Sequence, residues 1–167
     1  GEASLAGRKF YDGVFQIANE LRTNRGKLET IMQSNGTFLK KEDIDYFVAN
    51  GMSMGFSLDG VPIAHNQTRP FAGGQPSFDK ALETISYYKE VKGRAGVIMV
   101  LSKINLPYLI ESYRFFASKG IDFQINPILS IGEAANVDFD LGITPEQYLI
   151  AMKELFEIWI AEPTQTV

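Results

Sequence analysis

The chain has 167 residues, 45% of them hydrophobic and 12% aromatic, enough for one domain with a substantial core and too many for a disordered chain. Sixteen basic and twenty acidic residues leave a net charge of −4, the wrong sign for a nucleic-acid footprint. Cysteine is absent and His65 is the only histidine, which excludes disulfides and cysteine-ligated zinc or iron-sulfur sites within this chain and argues against an imidazole metal site.

No apolar run approaches membrane-spanning length. The opening Gly1-Glu2-Ala3-Ser4 has no basic region followed by an apolar stretch. The expectation is no signal peptide and a cytoplasmic protein.

In chain order, Phe10, Val14, Ile17, Ala18 and Leu21 recur at helical spacing and predict a helix over 8–23 with those residues inward. A strand follows at 28–33, ending in Ser34-Asn35-Gly36. A helix over 41–50 turns Ile44, Phe47 and Val48 inward, with Gly51 suited to its end. The next strand is 52–57. Residues 58–76, rich in glycine and proline, read as a long loop. Ser77 predicts the cap of a helix reaching about 92.

"AGVIMVLS", 95–102, is nearly all apolar and predicts a strand buried on both faces. Asn105 predicts a helix cap and Gly120 that helix's end. "IDFQINPIL", 121–129, is the fourth strand, and 130–143 a loop. Thr144-Pro145-Glu146-Gln147 carries a cap, a proline at the first helical position and a capping-box glutamine. The helix it opens reaches about 161, with Tyr148, Met152, Leu155, Phe156 and Trp159 read as core, and 162–167 reads as a tail.

Four strands alternating with five helices predict an α/β fold with a parallel sheet, part of a barrel. Both sheet edges would lie open, which predicts a piece of a larger domain and a tendency to self-associate through those edges. Ligands of parallel α/β folds bind at the carboxyl ends of the strands. The polar residues there are Gln33, Ser34 and Asn35; then Ser57, Asp59, His65, Asn66 and Arg69; then Ser102 and Asn105; then Gln124, Asn126 and Ser130. Each group also has a plain account: Asn35-Gly36 and Asp59-Gly60 as turns, Asn105 as a cap, Asn126-Pro127 as a strand end, His65 as a packed side chain. Their shared rim is what favours a site.

Three motifs carry a resemblance. "GEASLAG" at 1–7, "QSNGTFL" at 33–39 and "SLDGVPIAHNQTR" at 57–69 resemble, in order and spacing, the radical S-adenosylmethionine (AdoMet) enzymes. The likeness is to the peptide- and protein-maturing branch that ends in a SPASM domain and includes the anaerobic sulfatase-maturating enzymes. It extends to about residue 129. It implies a partial (β/α)6 barrel of which this chain holds strands three to six in a single incomplete domain over 1–167. The upstream Cys-x-x-x-Cys-x-x-Cys segment and the downstream SPASM region are not in this sequence.

The resemblance implies AdoMet and a 4Fe-4S cluster as cofactors of the whole protein, with a peptide or protein as substrate and no nucleic-acid or membrane partner. Gly1 and Glu2 would lie by the methionyl amino group, and Ser57 by its carboxylate or the ribose. Asp59 would shape the turn, and Arg69 would pair with a carboxylate. Ile128 and Leu129 would pack adenine, with Asn35 and Asn126 as further rim contacts. No catalytic acid or base is assigned, and the isolated chain is expected to be inactive without cluster thiolates. The alternatives are a non-catalytic module binding AdoMet, nucleotide or peptide, and an aldolase-type barrel using Lys103 or Asp59.

Overall fold

The computed structural model describes residues 2–21, 29–129 and 141–162. The elements are α1 (Arg8–Leu21), β1 (Thr30–Ser34), α2 (Lys41–Ala49), β2 (Met52–Ser57), α3 (Pro62–Thr68), α4 (Phe78–Lys92), β3 (Gly96–Leu101), α5 (Leu109–Lys119), β4 (Asp122–Pro127) and α6 (Pro145–Ala161). Short 3-10 turns, Ala3–Ala6 and Leu106–Tyr108, precede α1 and α5. The strands share one sheet in the order β1-β2-β3-β4, with β1 parallel to β2 and β3 parallel to β4. The predicted α/β alternation and parallel sheet are present. Gly1, residues 22–28 and 130–140 (with Ser130) and the tail from 163 lie outside the described residues.

The described residues hold six α-helices, not five, because α3 lies inside the predicted loop 58–76. Pro62 occupies its first turn, where no N–H is needed and φ is already helical. Seven residues are too few to show a period, and the surrounding glycines and prolines read as loop.

The chain divides into two compact units, Gly1–Ser57 with Lys80–Ala95, and Leu58–Asp79 with Gly96–Val167. In the first, Ser34 stands opposite Phe56, so the carboxyl ends of β1 and β2 coincide. Met32, Met54 and Phe56 are buried, with Ile85 and Tyr88 of α4. Tyr88 meets Phe56 edge-on at 5.3 Å, and its hydroxyl accepts the Met54 N–H at 2.9 Å. On α1 the buried residues are Tyr11, Phe15 and Ala18, whereas Phe10, Ile17 and Leu21 are more than half exposed. Of the predicted stripe Ala18 is buried and Val14 half-buried, and elsewhere the inward face is shifted by one residue, to Tyr11 and Phe15. The two stripes lie side by side at the same helical spacing, so the period cannot choose between them. The contact of Tyr11 with Phe47 at 4.8 Å and of Phe15 with Tyr46 at 5.8 Å decides it.

In the second unit, Leu101 stands opposite Pro127, which aligns the carboxyl ends of β3 and β4. Val97, Met99 and Leu101 are buried, but Ile98 and Val100 are only half-buried. The prediction that both faces of this strand are covered is corrected. Apolar composition permits burial on two faces but does not supply the second layer. Gly120 ends α5 in the left-handed conformation at φ 56°, as expected. Thr144 and Gln147 form the predicted reciprocal cap of α6, at 3.2 and 2.8 Å. Of the predicted core stripe of α6, Tyr148, Met152 and Leu155 are half-buried and Phe156 and Trp159 are not covered. Only Ala151 is buried, and Phe156 and Trp159 are exposed along with Leu149, Ile150 and Ile160. The helix is apolar almost all round, so its composition does not mark an inner face.

Candidate functional site

In the first unit the polar cluster is built on Glu2. The carboxylate caps the turn Ala3–Ala6, Oε1 accepting from Ser4 N–H at 3.2 Å and Ser4 Oγ at 2.7 Å. Oε1 also accepts from Ser34 Oγ at 2.8 Å, and Oε2 from the Asn35 N–H at 2.8 Å. Tyr11 secures the approach by donating to the Ala3 carbonyl at 2.7 Å. Burial raises the Glu2 carboxyl pKa, but the hydrogen bonds from Asn35, Ser4 and Ser34 outweigh it and hold the group below its ordinary value. Glu2 is therefore an anion at neutral pH. With one bond on Oε2, that oxygen keeps a lone pair for a further donor.

Asn35 is brought to Glu2 through its backbone, while its side chain serves the turn. Its Oδ1 accepts from Thr37 N–H at 2.9 Å and Thr37 Oγ1 at 2.8 Å. Gly36, at φ 75°, follows, with Phe56 and Ala81 against it. Ser57, at the end of β2, accepts a long hydrogen bond from Gln33 at 3.4 Å.

In the second unit the hub is Asp59, 3% exposed. Oδ1 takes the Val100 N–H at 2.9 Å, and Oδ2 takes Thr68 Oγ1 at 2.9 Å and Arg69 Nε at 2.7 Å. The Nε of Arg69 is thus already engaged by a carboxylate of its own chain. His65, buried on α3, accepts the Asp59 N–H on Nδ1 at 3.1 Å and faces Ser77 Oγ through Nε2 at 3.1 Å. Burial pushes its pKa down to about 4. Asp59 opposes the shift and Arg69 adds to it. His65 is neutral at pH 7.

Two predicted caps are corrected. Ser77 is not the capping side chain of α4: Asn66 Oδ1 accepts from the N–H groups of Ser77 and Phe78, both at 3.0 Å, and the Ser77 hydroxyl donates to the Arg69 carbonyl. Asn105, fully buried, makes no side-chain cap on the following turn. It braces the end of β3, accepting from Ser102 N–H at 2.7 Å and donating to the Val100 carbonyl at 2.8 Å. Both polar side chains turn towards buried backbone groups that would otherwise lack a partner.

Asn126 accepts from Gln124 at 2.9 Å along β4. Ile128 is tied to the Leu101 carbonyl through its N–H at 2.9 Å, and Leu129 is exposed, leaving an apolar surface past the strand end. Lys103 is exposed, unlike the desolvated lysine that Schiff-base chemistry uses. Sequence reasoning put Ser34 on the rim without a role, and left Thr68 and Ser77 out of the site. Small hydroxyl residues have no signal of their own until the fold shows their partners.

Among the described residues no group of three His, Asp or Glu side chains is placed to hold a metal ion, and the chain has no cysteine. An iron-sulfur cluster does not fit the donors present. The anionic carboxylate of Glu2 is a group that suits an ammonium. No helix among the described residues is long and apolar enough to cross a membrane.

No family model matches the chain. It is 24% identical over 163 residues to the cysteine-type anaerobic sulfatase-maturating enzyme of Clostridium novyi, covering 97% of this chain and 44% of that protein. It is 26% identical over 179 residues to the serine-type enzyme of Bacteroides thetaiotaomicron, covering 97% and 42%. Among solved structures it superposes on anSMEcpe with bound AdoMet and Kp18Cys peptide with a TM-score of 0.86, at 22% identity over 97% of this chain and 45% of that one. It superposes on Escherichia coli coproporphyrinogen III oxidase, a radical SAM enzyme, with a TM-score of 0.69 at 12% identity, over 96% and 38%. The chain is similar in sequence to anaerobic sulfatase-maturating enzymes, spans less than half their length, and shares the α/β fold of the solved structures it superposes on.

Proposed function

We propose that this chain is the central part of the catalytic core of a radical AdoMet enzyme that modifies a peptide or protein side chain. The observation that carries the reading is the match to sulfatase-maturating enzymes across 97% of the chain. The anionic Glu2 at the end of β1 supports it as the partner of the methionyl ammonium. Gly1, Asn35, Ser57, Asp59, Arg69, Asn126, Ile128 and Leu129 are the other residues we assign to the cofactor side. When bound, a reduced cluster would supply the electron that cleaves AdoMet; its thiolates must come from outside this sequence. This chain alone therefore binds but does not turn over. A peptide substrate and a cytoplasmic location belong to the same reading.

The lack of any cysteine favours a second reading, an AdoMet-, nucleotide- or peptide-binding module without redox chemistry. Calorimetry with AdoMet on this chain tests what the two readings share. Binding is expected, and Glu2→Gln should weaken it by about tenfold, the loss of one charge-assisted contact. Undiminished binding by Glu2→Gln removes the assignment of that residue. Anaerobic incubation with reductant and AdoMet separates the readings. A longer protein containing this sequence and a Cys-x-x-x-Cys-x-x-Cys segment should form 5′-deoxyadenosine; none formed by an iron-loaded protein leaves the binding module.

A further inference from the structure

The hydrogen bonds around His65 have a fixed direction. At one end stands the Asp59 N–H, which can only donate, so Nδ1 must present its lone pair. A neutral imidazole with a bare Nδ1 carries its proton on Nε2. That proton goes to Ser77 Oγ, and the Ser77 hydroxyl goes to the Arg69 carbonyl, which can only accept. The relay starts on the backbone of Asp59 and ends on the backbone of Arg69. The side chains of the same two residues form the ion pair, and Asp59 Oδ1 fixes that pair to β3 through the Val100 N–H. The ring is 1% exposed and meets Phe78 edge-on at 5.7 Å, so no water substitutes for either partner.

We propose that His65 is a positioning residue: a neutral imidazole, protonated on Nε2, that spaces Asp59 from Arg69 and so sets where the pair stands at the end of β3. The ion pair alone would not do this. Arg69 has a long, partly exposed side chain that can follow Asp59 through many rotamers, whereas a planar ring between two backbone groups fixes their separation. Imidazolium is incompatible with the arrangement because it would place Nδ1–H against the Asp59 N–H. The charged groups acting on the ring are Asp59 and Arg69. From the start of α4 it meets Ser77 and Phe78, which carry no charge. That the clamp serves a cofactor rests on the proposed function; the direction of the relay does not.

Because this histidine is the only one, its side-chain nitrogens give an unambiguous 15N NMR signal. The expected result at pH 7 is the neutral Nε2–H tautomer; an Nδ1–H tautomer or a charged ring overturns the proposal. Two substitutions divide the ring's roles. In His65→Asn the amide oxygen stands close to the position of Nδ1, and in His65→Gln the amide nitrogen stands close to that of Nε2. Hydrogen exchange at the Asp59 and Val100 amides should stay near wild type in His65→Asn. It should rise by about tenfold or more in His65→Gln, with the Met54 amide as control. Equal protection in both variants sinks the assignment. If both variants lose the Met54 amide as well, the wild-type tautomer decides. AdoMet titration is read separately. Where wild type binds, His65→Gln should weaken binding more than His65→Asn. Where it does not, the proposed function fails while the exchange data still judge the clamp.

Discussion

Asp59 and Arg69 are held at 2.7 Å, but they are unequal partners: the Asp59 side chain is 4% exposed and that of Arg69 31%. The carboxylate also serves Thr68 and Val100, whereas the guanidinium bonds Asp59 through Nε. The pair is thus a buried acceptor with a solvent-facing cation, and the two ends should respond differently to mutation.

Asp59→Ala strands the Val100 N–H and removes the partner of Arg69 Nε, while the Thr68 hydroxyl keeps the His65 carbonyl at 3.2 Å, and it should cost about 2–4 kcal/mol. Arg69→Met keeps much of the apolar stem and leaves the carboxylate its two other donors, so it should cost about 1–2 kcal/mol. Urea denaturation midpoints at pH 7 measure both. Equal losses would mean that the guanidinium, not the buried acceptor, carries the interaction.

The pH dependence follows from His65, whose pKa in the fold is lowered by burial to about 4 from an ordinary 6.5. Between those values the unfolded chain binds the proton and the folded chain does not. Stability from this group is therefore full above about pH 6.5 and lost as pH falls towards 4, by about 3 kcal/mol in all. Glu2, with a lowered pKa, acts in the same direction but only below its ordinary 4.5. Denaturation at a series of pH values should show a slope between 4.5 and 6.5 that disappears in His65→Asn. A slope that survives the substitution rules out His65 as its source.

Gly60 should not tolerate a side chain. Its φ is 95°, and a Cβ there would run into Ser112 Oγ, the group that accepts the Val61 N–H at 3.2 Å. Gly60→Ala should destabilise by about 2–4 kcal/mol. Ser112→Ala should relieve the collision but not the backbone strain, so the double variant should lose less than the two singles added together. Strict additivity in thermal or chemical denaturation would show that the two residues do not meet.

The apolar surface of α6 predicts association. Leu149, Ile150, Phe156 and Ile160 are each more than half exposed, and a groove of about 310 Å³ beside Ile150 is lined largely by apolar residues of α5, α6 and the preceding turn. Sedimentation velocity should show concentration-dependent oligomers, diminished by Phe156→Glu. If that variant associates as much as wild type, open strand edges are the better explanation.

Much of this protein is legible one residue at a time. The alternation of elements, the capping box at Thr144 and Gln147 and the left-handed glycine after α5 rest on local periods and backbone preferences, which neighbours in the chain express directly. The Ser57–Arg69 segment could be singled out because polar residues after a strand occupy the ligand-binding end of a parallel fold. The inward stripe of α1 and the half-open face of β3 could not be read, since adjacent stripes share a period and composition does not reveal what covers it. Nor could the partners of His65, Asn66, Asn105 and Ser77. A buried polar side chain is satisfied by whichever backbone group the fold brings within about 3 Å, and that depends on tertiary packing, not on the residue's own type. The sequence by itself determined where the strands end and which polar segments follow them; tertiary structure alone decided that Asp59 is a buried hub and that His65 is enclosed between Asp59 and Ser77.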